Sequence, residues 1–192
     1  MSHEKVTSQD VVVAGLVCGT RSGESALALG RFTMECVGAD GQVKWTATEQ
    51  NLVVNGGLQY MCGTALTSVS QITTWYLGLY GAGASNTPAA TDTASSHVGW
   101  TEITPYSNGF RPTCSFATAT TANPSVATNS ASPAAFNINA TATVGGAFLI
   151  SNNTKGGTTG TLFSAADFQS PGDRTVVSGD TLNITYTLSL AG

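Results

Sequence analysis

The stretch "DTLNITYTLSL", residues 180–190, restricts the fold of this chain more than any other. Leu182, Ile184, Tyr186, Leu188 and Leu190 recur at every second position, with Asn183, Thr185, Thr187 and Ser189 between them. A period of two sends the two sets to opposite faces of an extended backbone. The spacing therefore predicts a strand with one apolar and one polar face, which suits an antiparallel sheet packed on one side.

The same period recurs upstream. In "RFTMECVGADGQVKWTATEQN" Phe32, Met34 and Cys36 alternate with Thr33, Glu35 and Val37, "GADG" (38–41) supplies turn residues, and Val43 and Trp45 resume the alternation, which predicts a hairpin. "QITTWYLGLY" places Trp75, Leu77 and Leu79 on one side. "AAFNINATATVGGAFLI" offers two strands, one carrying Phe136 and Ile138, the next Phe148 and Ile150. One segment departs from the pattern. In "NLVVNGGLQYMCGTAL", Leu58, Met61, Cys62 and Ala65 fall at helical spacing, which predicts a short helix over 57–66 with Asn55 as its cap. Gly/Ser/Thr/Asn/Pro-rich stretches at 81–96, 117–133 and 151–160 read as long loops. Short strands joined this way predict an all-β fold, an antiparallel β-sandwich or jelly roll with one or two short helices. Residues 1–29 read as an N-terminal arm, and 30–192 as the sandwich domain.

Charge narrows the functional classes. Only 9% of the 192 residues are charged and 41% are hydrophobic, so the polar part is mostly Ser, Thr, Asn and Gly. The net charge of -4, with 7 Lys plus Arg in no run, argues against a nucleic-acid partner. The apolar run "VVVAGLVCG" (11–19) is far short of the roughly 20 residues of a membrane span. It also lacks a basic region before it, so a signal peptide is not expected. Synthesis in a cytoplasm is the expectation. The cysteines Cys18, Cys36, Cys62 and Cys114 form no C-x-x-C pair, and with 2 His in the chain a zinc site is not expected. They read either as small buried hydrophobes or as members of a disulfide whose pairing the spacing does not assign.

Residues 92–112, "DTASSHVGWTEITPYSNGFRP", hold the densest chemistry. Ser96 and His97 are sequence neighbours, whereas a nucleophile and its base usually come from separate elements, and no G-x-S-x-G elbow occurs. Asp92, His97 and Glu102 are acceptable metal ligands as types, but three such groups within eleven residues also arise by chance. The plainer reading is a packed loop: His97 against Trp100, Asp92 or Ser95 capping a turn, Pro105 ending a strand. "NTKGGTTGT" (153–161) lacks the Lys-Ser/Thr pair of a phosphate loop and reads as a loop tip. No catalytic group, cofactor, metal or small-molecule substrate is expected.

Five stretches in this order, "VKWTATEQNLVVNGGL" (43–58), "TTWYLGLY" (73–80), "ATDTASSHVGWTE" (90–102), "SNNTKGGTTGTLFSA" (151–165) and "VVSGDTLNITYTLS" (176–189), resemble a family of small virion proteins of tailed bacteriophages. The family includes head decoration, or cement, proteins. The resemblance covers about residues 30–192 and implies a jelly roll, set as a homotrimer on the capsid exterior against the major capsid protein, with no enzymatic activity. It implies that Asp92, His97, Trp100 and Glu102 belong to a structural or interface loop. The arm at 1–29 would then reach a neighbouring subunit or the shell. A tail or fibre component that contacts the host surface is the alternative.

Overall fold

The alternating segment at 181–191 becomes an interior strand of one of two antiparallel sheets. The computed structural model describes residues 26–82, 87–169 and 172–192. Along them run β1 (Leu27–Val37), β2 (Val43–Gln50), β3 (Leu52–Val53), helix α1 (Asn55–Leu66), β4 (Trp75–Gly81), β5 (Glu102–Ile103) and β6 (Thr113–Cys114). Then follow β7 (Ser125–Thr128), β8 (Ala134–Asn137), β9 (Ala142–Ile150), β10 (Leu162–Asp167), β11 (Arg174–Val176) and β12 (Thr181–Ala191). The first sheet has the order β2-β1-β12-β7, with β8 also on β12. The second has the order β3-β10-β9-β4-β5, with β11 on β9 and β6 on β4. The chain is an all-β sandwich with one helix among the described residues.

The first sheet follows from its sequence period. β1 and β12 pair along their whole length, from Leu27 opposite Ala191 to Val37 opposite Thr181. Phe32, Met34 and Cys36 of β1 and Leu182, Ile184 and Tyr186 of β12 are fully buried on the inner face. A fully buried side chain of this kind contributes about 1.5–3 kcal/mol, so this row outweighs any single polar contact in the sheet. The outer face carries the polar set. Thr33 meets Thr48 at 3.3 Å, Thr128 meets Thr187 at 3.0 Å, and the Asn183 amide donates to Glu35 at 3.4 Å.

The second sheet is buried on both faces. From β4, Leu77 and Leu79 join the core between the sheets, while Tyr76 and Tyr80 face a second apolar cluster on the far side. β9 behaves alike, with Ala147 and Leu149 inward and Phe148 and Ile150 outward. Its run "GAFLI" is accordingly apolar without alternation, as a doubly covered strand requires. The cover on the outer side comes from the loop that includes Ala94 and Trp100.

Several expectations are corrected. Asn55 is the first helical residue and not the cap. Val54 occupies the cap position, with no side-chain hydrogen bond. The face of α1 turned to the protein is not the one that the apolar spacing marks: Leu58, Cys62 and Ala65 are exposed, whereas Gly57 and Gly63 are buried. Gly57 lies so close to the Phe163 carbonyl that a Cβ there would collide with it. The helix thus docks on β10 by its small residues, because backbone contact outranks side-chain packing at that distance. The stretch 117–133 is not all loop, for it contains β7, which pairs with β12. β1 begins at Leu27, so 27–29 belong to the sheet, and what precedes residue 26 lies outside the described residues, Cys18 included. Cys36 and Cys114 are buried free thiols, and Cys62 is an exposed one. Burial, reinforced by the neighbouring Asp180 carboxylate, pushes Cys36 up to about 11, and burial alone pushes Cys114 up to about 12.

Candidate functional site

The 92–112 loop lies on the outer face of the second sheet, and its site is built upward from two glycines. Gly78 of β4 stands opposite Phe148 of β9, and Tyr80 of β4 stands opposite Gly146. The end of each aromatic ring reaches the glycine beside it, and a Cβ at either glycine would collide with that ring. The result is a platform of Tyr80 and Phe148. Trp100 settles on it, with ring centroids 5.1 Å from Tyr80 and 5.0 Å from Phe148. His97 stacks on Trp100 at 3.9 Å and 17°. This aromatic pile gives the loop its apolar anchor.

Polar bonds then fix the orientation of each ring. The Trp100 indole Nε1–H donates to Asp92 Oδ2 at 2.9 Å, and the same oxygen accepts the Ala89 N–H at 3.0 Å. His97 Nδ1 lies 2.8 Å from the Trp100 carbonyl, which can only accept, so that nitrogen carries the proton. Asp92 is 7% exposed, and its charge is met by these donors inside the loop. Burial, together with the carboxylates of Asp167, Asp173, Asp92 and Glu49, raises the Tyr80 phenol above its ordinary range, so the platform stays neutral.

A second tie holds the other end of the loop. Arg111 is 2% exposed and forks onto Glu102: Nε donates to Oε1 at 2.9 Å, and Nη2 donates to Oε2 at 2.6 Å. Nη1 donates to the Asn152 carbonyl at 2.8 Å and Nη2 also to Gly157 O at 3.0 Å. Glu102 Oε2 accepts the Gly156 N–H at 2.7 Å, and the Arg111 N–H reaches Asn153 O at 2.8 Å. The guanidinium lies 5.3 Å from the Phe148 ring centre, on the same platform. Beside it Lys155 donates to the Tyr106 carbonyl at 3.0 Å. A buried ion pair is tolerable only when such extra bonds complete it. Here they join the 102–111 segment to the 152–157 loop.

The expected site residues thus fall into two groups. Asp92, His97 and Trp100 come together, and Glu102 is bound away to Arg111. Asp92, His97 and Glu102 do not converge as ligands, and among the described residues no group of three His, Cys, Asp or Glu is placed to hold a metal ion. Ser95 shares its hydroxyl with Thr93 at 3.3 Å, and the Ser96 N–H donates to Thr93 Oγ1 at 3.1 Å, so these serines close a turn. Pro105 follows β5, as expected of a strand stop. The loop tip at 153–161 is a receptor for Arg111 and not a free tip. Sequence reasoning missed Arg111, Gly78 and Gly146. The only signals were an arginine in an otherwise charge-poor stretch and glycines set among aromatics in "WYLGLY" and "VGGAFL".

This constellation is a clamp: an aromatic pile and an ion pair that hold two long loops down on a sheet. Comparison with protein-family models, with curated proteins and with solved structures gave no match to this chain.

Proposed function

We propose that this chain is a non-enzymatic virion structural protein, a jelly-roll type decoration protein that cements a bacteriophage capsid from outside as a homotrimer on the major capsid protein. The observation that carries the reading is where the reactive side chains go. Asp92 and His97 end in bonds within their own loop, and Glu102 and Arg111 in bonds that tie β5 to the 152–157 loop. The outer face of the first sheet offers a partner hydroxyl groups, half-buried at Thr33, Thr185 and Thr187 and exposed at Thr48. Hydroxyl and amide contacts keep their strength as salt rises, whereas exposed charge pairs are screened. Many copies on one shell add avidity without strong single contacts. The sequence resemblance points the same way.

Immunogold labelling of intact purified virions, with antibody to this protein, tests the reading. Gold spread over the heads is the expected result. Gold confined to the tail replaces it with the tail or fibre reading. Protein found only in infected cytoplasm rejects a virion role altogether.

A further inference from the structure

The apolar row of β12 does not stop where the core is covered. Past Tyr186 it continues as Leu188, half-buried, and Leu190, which is 42% exposed. Both line a groove of about 1020 Å³. Met61 of α1, Val69, Ile72 and Phe116 add to its apolar lining, interleaved with Thr64, Gln71, Thr73 and Thr74. Val69 is itself 48% exposed. Apolar surface gathered in one concave place, unlike single scattered residues, calls for an occupant.

The course of the chain names one. Sheet pairing puts Ala28 opposite Leu190 and Leu27 opposite Ala191, so the polypeptide enters β1 beside the groove wall. Immediately upstream lies "GTRSGESA" (19–26), a polar segment, and before it "VVVAGLVC" (11–18), the one long apolar run outside the described residues. Eight linker residues span at most about 26–29 Å when extended, which is ample for a return to a wall that adjoins their own end. The run is flanked by polar residues on both sides, "TSQD" before and "GTRS" after, so a short apolar plug with wet ends matches an open groove.

We infer that residues 11–18 of the same chain seat in the groove between α1, the 69–72 segment, Phe116 and the end of β12. Branched Val and Leu side chains meet Leu, Val, Ile and Phe there. The short tether keeps the segment at high effective concentration, which favours its own groove over that of a neighbour. The inference replaces the expectation that this part of the arm reaches a neighbouring subunit or the shell, and it does not depend on the capsid reading.

The test uses the full-length protein with photoreactive p-benzoylphenylalanine in place of Leu16, and separately of Val12, so that one poorly tolerated position does not decide. The protein is irradiated at low concentration, and the linked peptides of the monomer band are mapped by mass spectrometry. The expected result is linkage to peptides holding Met61, Val69–Ile72, Phe116 or Leu188–Leu190, unchanged on dilution. Adding Leu190→Asp is expected to cut the yield about fivefold or more, as a carboxylate enters an apolar contact. Linkage that appears only in a dimer band assigns the groove to a neighbour's segment and overturns the inference. Linkage elsewhere, no linkage from either position, or indifference to Leu190→Asp overturns it as well.

Discussion

Replacing Arg111 by Met keeps an unbranched side chain of similar length over Phe148 and removes the charge. Glu102, whose side chain is 8% exposed, is then left as a buried carboxylate with the Gly156 N–H as its remaining donor. The carbonyls of Asn152 and Gly157 each lose a charged donor. Breaking one side of a buried pair costs about 3–5 kcal/mol. Two stranded carbonyls at about 1 kcal/mol or more each, with the uncompensated charge, lead to the same range. With a urea slope of about 2 kcal/mol per molar, the unfolding midpoint should fall by roughly 1.5–2.5 M. Tryptophan fluorescence and far-ultraviolet circular dichroism follow the transition. The double variant Arg111→Met/Glu102→Gln should recover about 1 kcal/mol or more of that loss, because Gln still accepts from Gly156 and carries no charge. If the single variant loses less than about 1 kcal/mol, the pair behaves as an exposed one and the clamp reasoning is wrong. A double variant no more stable than the single one would equally refute it.

Four further outcomes are expected. Gly146→Ala should cost at least the roughly 1–3 kcal/mol of an overpacked core, and more than Gly78→Ala, since a Cβ at 146 meets the Ala166 carbonyl as well as the Tyr80 ring; thermal melts of both variants check the order. In a Cys18→Ser background at pH 8, the exposed Cys62 should be the first thiol that a reagent labels. Cys114, raised to about 12, should react about a thousandfold more slowly until the protein unfolds, as timed labelling with mass spectrometry would record. At Asp180, burial works to raise the carboxyl, but bonds from Lys44 at 2.7 Å and the Val177 N–H at 2.9 Å outweigh it and hold the group below its ordinary value. A lowered carboxyl stabilises the fold above about pH 4 and loses that share as the pH falls further, so Asp180→Asn should flatten the acid limb of a stability–pH curve. Asp167 has the opposite sign. Burial, with Asp173 and Glu49 nearby, raises it, so Asp167→Asn should stabilise the protein at pH 7 and give no advantage below about pH 4, measured by urea melts at both pH values.

The sequence by itself determined the elements whose pattern is local. Period two in 180–190 and 32–36 marked the strands and their inner faces, because a sheet face is read directly from alternation. "GADG" marked the hairpin for the same reason: turn chemistry is a matter of neighbouring residues. His97 against Trp100, with Asp92 closing the turn, was legible because all three lie within nine residues of each other. Tertiary structure alone decided what depends on partners far along the chain. β7 carries only half-buried residues and is a strand because β12 offers it an edge. Helix α1 turns Gly57 inward because the Phe163 backbone approaches it, and helical spacing of apolar residues cannot register a close approach that needs no side chain. The glycine–aromatic platform exists only in the register that sets Gly78 beside Phe148 and Gly146 beside Tyr80. Arg111 finds Glu102 nine residues away, but its carbonyl acceptors lie 41 and 46 residues on. No local pattern encodes a loop that must fold back before a buried charge can be satisfied.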